Sequence, residues 1–228
     1  MLVHGAWADG SNWDEVLVRL QHDGYTVDVP PNPLRGVASD SAYLASYLKT
    51  LTGPVVLVGH SYGGFVITNA ATGNPNVKAL VYVNAYLPAQ GETLKGLTAQ
   101  FPGSQLAPSA VNFVPSPGGV IDAYLKPAQF KSILANDLSA QKAAELAATQ
   151  RPLAASAITE PSGTPAWTSI PSWDVIGTAD HVLPPAAQEF MAKRAGALVT
   201  KVNTSHLSMI SDPVTVEHVI ENAARCTS

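Results

Sequence analysis

The run Gly59-His60-Ser61-Tyr62-Gly63, with Gly64 behind it, is the part of this sequence best equipped for chemistry. It follows directly on Val55-Val56-Leu57-Val58 and directly precedes a helical stretch from about Tyr62 to Thr72. A Gly-x-Ser-x-Gly pattern at a strand–turn–helix corner holds a serine on strained backbone at the carboxyl end of a strand. Small residues flank it because the chain reverses too tightly for a β-carbon. The helix N-terminus that follows points at the hydroxyl. A plain tight turn would need the glycines too, but not the buried strand before them and the helix after.

A serine hydroxyl is a poor nucleophile near neutral pH and needs a base. Six histidines compete: His4, His22, His60, His181, His206 and His218. His22 and His218 fall inside predicted helices and read as solvated. His60 adjoins Ser61 within the turn, so its side chain points elsewhere. His4 ends the first strand, in a turn with another use. His206 lies in a short loop directly after the last strand, and in an open parallel sheet such loops share one carboxyl edge. It is therefore the expected base. The base needs an acid to fix its tautomer. Asp180, in Gly177-Thr178-Ala179-Asp180, follows a strand at the same edge. Asp174 sits at the wrong end of that strand, and Asp212 reads as a helix cap ahead of Pro213. A developing oxyanion needs two fixed N–H donors. The first is expected from Tyr62, the second from Ala6 in the turn His4-Gly5-Ala6-Trp7. Trp7 and Trp13 read as core.

The elements that must position these residues are legible as alternation. Strands are predicted at Leu2–His4, Tyr25–Val29, Val55–Val58, Leu80–Val83, Trp173–Ile176 and Leu198–Val202, about six in all. Helices are predicted between them: from Ser11 and Asp14, a capping-box-like pair, to about His22, stopped by Gly24; from Asp40 to about Leu51; from Pro184-Pro185 to about Lys193; and from Pro213 to about Ala224. Alternation of this kind reads as an α/β fold with a mostly parallel sheet. Residues 86–168 depart from it. They are rich in Pro, Gly, Ala and Ser, show no strong strand, and hold one helix-like stretch, Lys131 to Gln150. They read as a cap insertion above a core made of 1–85 and 169–228, in a single domain. The insertion brings Phe101, Phe113, Tyr124, Phe130 and Trp167, at least two of which are expected to face a ligand.

Composition narrows the field. The 228 residues are 46% hydrophobic and 13% charged, with 13 Lys plus Arg against 17 Asp plus Glu. A mildly acidic chain with no basic cluster is a poor nucleic-acid binder. No run of 18 apolar residues suggests a membrane span. The one cysteine, Cys226, excludes a disulfide framework and a cysteine zinc site, and near a chain end it is poorly placed as a nucleophile. No signal-peptide pattern is visible. A cytoplasmic protein is expected, with a secreted mature form left open.

These residues resemble the α/β-hydrolase superfamily, whose triad order is also serine, acid, histidine. More narrowly, the chain resembles the compact group of plant methylesterases, hydroxynitrile lyases and similar bacterial esterases. The likeness rests on Leu2 to Trp7, Gly59 to Gly64, Tyr86-Leu87-Pro88, Gly177 to Asp180 with Pro184, and His206 to Met209 with Asp212-Pro213. Arg151-Pro152 adds to it. The lyases of that group carry a lysine after the catalytic histidine and a threonine in the first oxyanion turn. Here Leu207 and Ala6 stand there, which places the sequence on the esterase side. Ser61 separates it from relatives with an aspartate nucleophile. Tyr62 is a departure, since the plant esterases carry Leu or Met there, and its ring is expected to narrow the pocket.

The expectation is a serine carboxylesterase that cleaves a small hydrophobic ester, with an aromatic one suggested by the insertion. No cofactor or metal is required. The substrate is the only partner expected, with no nucleic acid or membrane, and the chain is a monomer or homodimer. A lactonase, a C–C hydrolase or a perhydrolase would use the same triad. A low-turnover binding protein of the same fold is the rival from outside catalysis.

Overall fold

In the computed structural model, which describes residues 1–227, the continuous apolar runs of the sequence pair as one parallel sheet. Its five strands are β1 (Leu2–Val3), β2 (Val55–His60), β3 (Val77–Val83), β7 (Ser172–Gly177) and β8 (Leu198–Val202), side by side in that order. Leu57, Val58, Leu80, Val81 and Val175 are fully enclosed. Each side chain so buried contributes about 1.5–3 kcal/mol of transfer free energy. The register aligns the strand ends. His60 lies opposite Val83, Val83 opposite Val175, and Gly177 opposite Val202. Ser61, Asn84, Asp180 and His206 therefore all emerge beyond one edge of the sheet.

Helices α1 (Asp14–His22), α2 (Val37–Leu48), α3 (Gly63–Ala70), α7 (Pro185–Ala195), α8 (Ser208–Ser211) and α9 (Pro213–Cys226) flank the sheet. Asp212 caps α9 as expected, accepting from the Thr215 N–H at 3.1 Å. Two other helix starts differ from the sequence reading. Asp9, not Ser11, makes the capping box, and a single 3-10 turn precedes α1. Helix α2 begins before Asp40, because the carboxylate of Glu160 accepts from the N–H groups of Val37 and Ala38 at 2.8 and 2.9 Å. Asp40 instead turns inward. A cap supplied from so far along the chain leaves no local signal.

The sixth strand does not form. Tyr25–Val29 runs without strand pairing apart from one bond, Leu2 N–H to Asp28 O at 2.9 Å, since β1 offers only two residues to pair with. The insertion also differs. It holds helix α4 (Leu94–Ala99) and an antiparallel sheet of β4 (Val111–Ser116), β5 (Val120–Leu125) and β6 (Leu153–Ala154). β4 contains Pro115 and is an edge strand, where a missing N–H costs no ladder bond. The predicted helix Lys131–Gln150 is two helices, α5 (Pro127–Leu134) and α6 (Ala140–Thr149). Ser139 caps the second by accepting from the Lys142 N–H at 3.1 Å.

The insertion is fastened to the core. Arg35 pairs with Asp122 at 2.7 Å, Trp7 Nε1 donates to Ala123 O at 2.9 Å, and Arg194 pairs with Glu92 at 2.6 Å. Among the described residues, no helix is long and apolar enough to cross a membrane.

Asp174 on β7 is fully buried, and among the described residues both its carboxylate oxygens lack a hydrogen-bond partner. Burial pushes its carboxyl well above the usual range, so the folded chain keeps the proton to higher pH than the unfolded chain does. The unfolded chain releases that proton above about pH 4. Stability is therefore lost as pH rises from there toward the folded value, by about 1.4 kcal/mol per pH unit. Asp174→Asn mimics the neutral form. It is expected to raise the melting temperature at pH 7 and to leave it nearly unchanged near pH 4, measured by thermal unfolding at both pH values.

Candidate active site

Ser61 sits at φ +53°, left-handed backbone that a serine rarely adopts, at the corner between β2 and α3. The local sequence permits this corner because a β-carbon on Gly63 would lie 2.7 Å from Val3 O. The Ser61 carbonyl is pinned by the N–H groups of Gly64 at 2.9 Å and Tyr86 at 3.3 Å. Its side chain is nearly enclosed, and Oγ makes no hydrogen bond among the described residues.

Asp180 and His206 leave the ends of β7 and β8 and meet. His206 Nδ1 stands 2.7 Å from Asp180 Oδ2, with both side chains essentially fully buried. Oδ1 of Asp180 also accepts from the Val182 and Leu183 N–H groups at 2.8 and 3.0 Å. Oδ2 accepts from Gln188 Nε2 at 2.9 Å and Asn84 Nδ2 at 3.2 Å. A buried carboxylate with this many donors is satisfied without a cation and cannot swing. With Nδ1 directed at the acid, Nε2 of His206 is left without a hydrogen bond among the described residues.

The turn after β1 comes close to the serine. A β-carbon on Gly5 would lie 2.7 Å from Ser61 Cβ. The N–H groups of Ala6 and Tyr62, both buried, make no hydrogen bond among the described residues. Orphaned buried N–H groups are rare, and a pair at a serine corner is suited to receive an oxyanion. His4 braces this turn: its Nε2 accepts from the Asn32 N–H at 3.1 Å, and Asn32 Nδ2 donates to His4 O at 2.9 Å. Burial lowers the His4 pKa, which keeps that nitrogen available as an acceptor. Trp7 belongs to the core, as does Trp13, and its N–H donates to Arg151 O at 2.9 Å.

The Tyr62 side chain packs into the core toward α2. Its ring is fully buried, and its hydroxyl donates to Asp40 Oδ2 at 2.7 Å. Asp40 also accepts from the Arg35 N–H at 3.0 Å, and burial raises its pKa. Burial also pushes the Tyr62 phenol far up, so it remains a donor. Tyr62→Phe leaves Asp40 short of one donor and is expected to cost about 1–3 kcal/mol, read by urea unfolding.

Three residues near the site were not singled out as functional by sequence. Asn84 holds both Asp180 and Ser205 O, the latter at 3.2 Å. Its place directly after β3 was a usable signal. Gln188 lies on α7 and carried none. His60, set aside as pointing elsewhere, reaches His206: its Nε2 stands 2.9 Å from the His206 carbonyl oxygen. His22 and His218 are exposed, and His181 binds Ser132 O at 2.9 Å. Of the insertion aromatics, Phe130 is core and Phe113 is 49% exposed on the β4–β5 hairpin. Phe101 packs on Phe190, and Trp167 donates to Pro88 O at 2.8 Å beside Arg194. None of these ring contacts or hydrogen bonds involves Ser61 or His206. Among the described residues no cluster of three or more His, Cys, Asp or Glu side chains could hold a metal ion.

Four known families and proteins are similar to this chain. A family model described as the alpha/beta hydrolase family matches residues 1–219. A carbendazim hydrolyzing esterase of a Nocardioides species is 33% identical over 110 residues, covering 42% of this chain and 46% of that protein. The match thus spans less than half the length of that relative. Among solved structures, polyneuridine aldehyde esterase superposes with a TM-score of 0.83 at 18% identity, covering 98% of this chain and 97% of that one. A pyrethroid hydrolase from Sphingobium faniae gives a TM-score of 0.78 at 22% identity, with 98% and 96% covered. At these identities the structural likeness speaks for the fold.

Proposed function

The chain belongs to the alpha/beta hydrolase family, and on that premise we propose that it is a serine esterase acting on a small hydrophobic ester. The observation that carries the proposal is the buried Asp180–His206 pair at 2.7 Å, which leaves the other imidazole nitrogen without a hydrogen bond among the described residues, on a base loop tied at 2.9 Å to His60, the residue before Ser61. The names of the Nocardioides relative and of the two solved structures, each an esterase or hydrolase, support the same class.

The reaction runs in two halves. Ser61 Oγ attacks the ester carbonyl carbon while His206 Nε2 takes its proton. The carbonyl oxygen becomes an oxyanion between the N–H groups of Ala6 and Tyr62. Collapse breaks the bond to the alkoxy oxygen, and His206 returns the proton to the leaving alcohol. Water, deprotonated by His206, then attacks the acyl-enzyme, and the acid departs as Ser61 regains its proton. Asp180 orients the imidazole and stabilises its cation throughout. No cofactor enters this sequence of steps. Residues 86–168 act as the cap that sets which acyl and alcohol groups fit.

Sustained hydrolysis of p-nitrophenyl acetate over many turnovers, lost in Ser61→Ala, is the expected result. Activity unchanged by that substitution would remove Ser61 from the mechanism. A series of esters graded in acyl size would then define the substrate.

A further inference from the structure

We infer that His60 is a positioning residue for His206, setting the base against the nucleophile in the reaction proposed above. The inference rests on that reading, and on a link that joins the two residues without passing through substrate. On one side His60 is bonded in sequence to Ser61. On the other, its Nε2 donates to the backbone carbonyl of His206 at 2.9 Å. The two imidazole rings lie 4.9 Å apart, inclined at 56°.

His60 is fully buried, and among the described residues its Nδ1 has no hydrogen-bond partner. An unmet nitrogen inside a core is costly, so a residue retained there only to fill space would be apolar. The ring is also confined: a β-carbon on Gly5 would lie 3.1 Å from Nδ1 and 2.7 Å from His60 O. Burial holds the imidazole neutral, so only one nitrogen carries a proton, and that N–H donates to the His206 carbonyl.

The rest of the base loop is tied to other parts of the fold. Ala179 N–H donates to Thr204 O at 3.1 Å, Asn84 Nδ2 to Ser205 O at 3.2 Å, and Ser205 N–H to Asp137 Oδ2 at 2.9 Å. These bonds fix the loop against the acid, against β3 and against the insertion. Among the described residues, the hydrogen bond from the nucleophile's own corner to the base is the one from His60. Without it the imidazole keeps Asp180 but loses its reference to Ser61, and a displacement near 1 Å costs catalysis up to about 100-fold. The oxyanion donors belong to other residues, so substrate binding is spared.

The test compares His60→Leu, which fills the space without a donor, with His60→Gln, whose amide donor reaches as far as Nε2. His60→Asn, with its donor drawn back, provides the same contrast if the leucine variant does not fold. Turnover of p-nitrophenyl acetate is measured beside the melting temperature. His60→Leu (or Asn) is expected to lower kcat roughly 10- to 100-fold with KM little changed, and His60→Gln to recover most of it. A leucine or asparagine variant with the parent kcat overturns the inference, as does a glutamine variant no better than either. Ser61→Ala, run alongside, separates the two levels: a variant that keeps full activity overturns the proposed function instead.

Discussion

Ser61→Ala and His206→Ala are each expected to lower kcat by roughly 10⁴- to 10⁶-fold, and the double variant is expected to fall no further. In the proposed mechanism nucleophile and base act as one unit. Without His206 the serine keeps its proton, and without Ser61 the base has nothing of the chain to activate. The oxyanion donors survive both substitutions, so a residual rate above that of water remains. The two Ala substitutions remove different surroundings. Ser61 loses a hydroxyl that makes no hydrogen bond among the described residues, so stability is expected to hold. His206 loses its buried bond to Asp180 and leaves that carboxylate one donor short. Single-turnover rates with p-nitrophenyl acetate, measured for all four proteins, check the prediction. Losses that multiply would show that the residues act independently.

Asp180→Asn is expected to cost kcat about 10⁴-fold, more than any packing change at this position would explain. The carboxylate accepts from His206 Nδ1, from two backbone N–H groups and from the amides of Asn84 and Gln188. An asparagine offers one acceptor oxygen and one NH₂. If its oxygen stays with Val182 and Leu183, its NH₂ faces His206 and favours the tautomer protonated on Nε2. That tautomer cannot take a proton from Ser61. The same NH₂ also meets the donors of Asn84 and Gln188, so a stability loss of about 1–3 kcal/mol accompanies the change. The catalytic loss should far exceed the stability loss, which a comparison of kcat with the urea midpoint separates. Equal activity in Asp180→Asn would exclude an orienting role for this residue.

Much of this architecture is readable from the sequence because its strongest signals are local. A β-branched run such as Val55–Val58 reads as a buried strand in isolation, and the glycines around Ser61 report a corner wherever they occur. The loops of Asp180 and His206 follow from strand ends, since a parallel sheet gathers those ends on one edge. The misses share the opposite property. Helix α2 starts where Glu160 caps it, and α5 and α6 separate where Ser139 starts a new cap. Strand β4 tolerates Pro115 because, among the described residues, nothing pairs with its outer edge. Tyr25–Val29 alternates like a strand but lacks a long enough neighbour. His60 does point away from Ser61, but adjacency says only where its backbone lies, while its partner is 146 positions away.

The central claim is that Ser61 becomes covalently attached to the acyl group. Diethyl p-nitrophenyl phosphate tests it most directly, because the phosphoryl ester formed on a serine is released far more slowly than an acyl group. Attack by Ser61 Oγ forms the new P–O bond and expels p-nitrophenolate. Intact-mass and peptide mapping should then show one diethylphosphoryl group per chain, on the peptide that contains Ser61, with esterase activity lost in proportion. An unmodified chain with activity abolished, or a label on any other residue, would contradict the account.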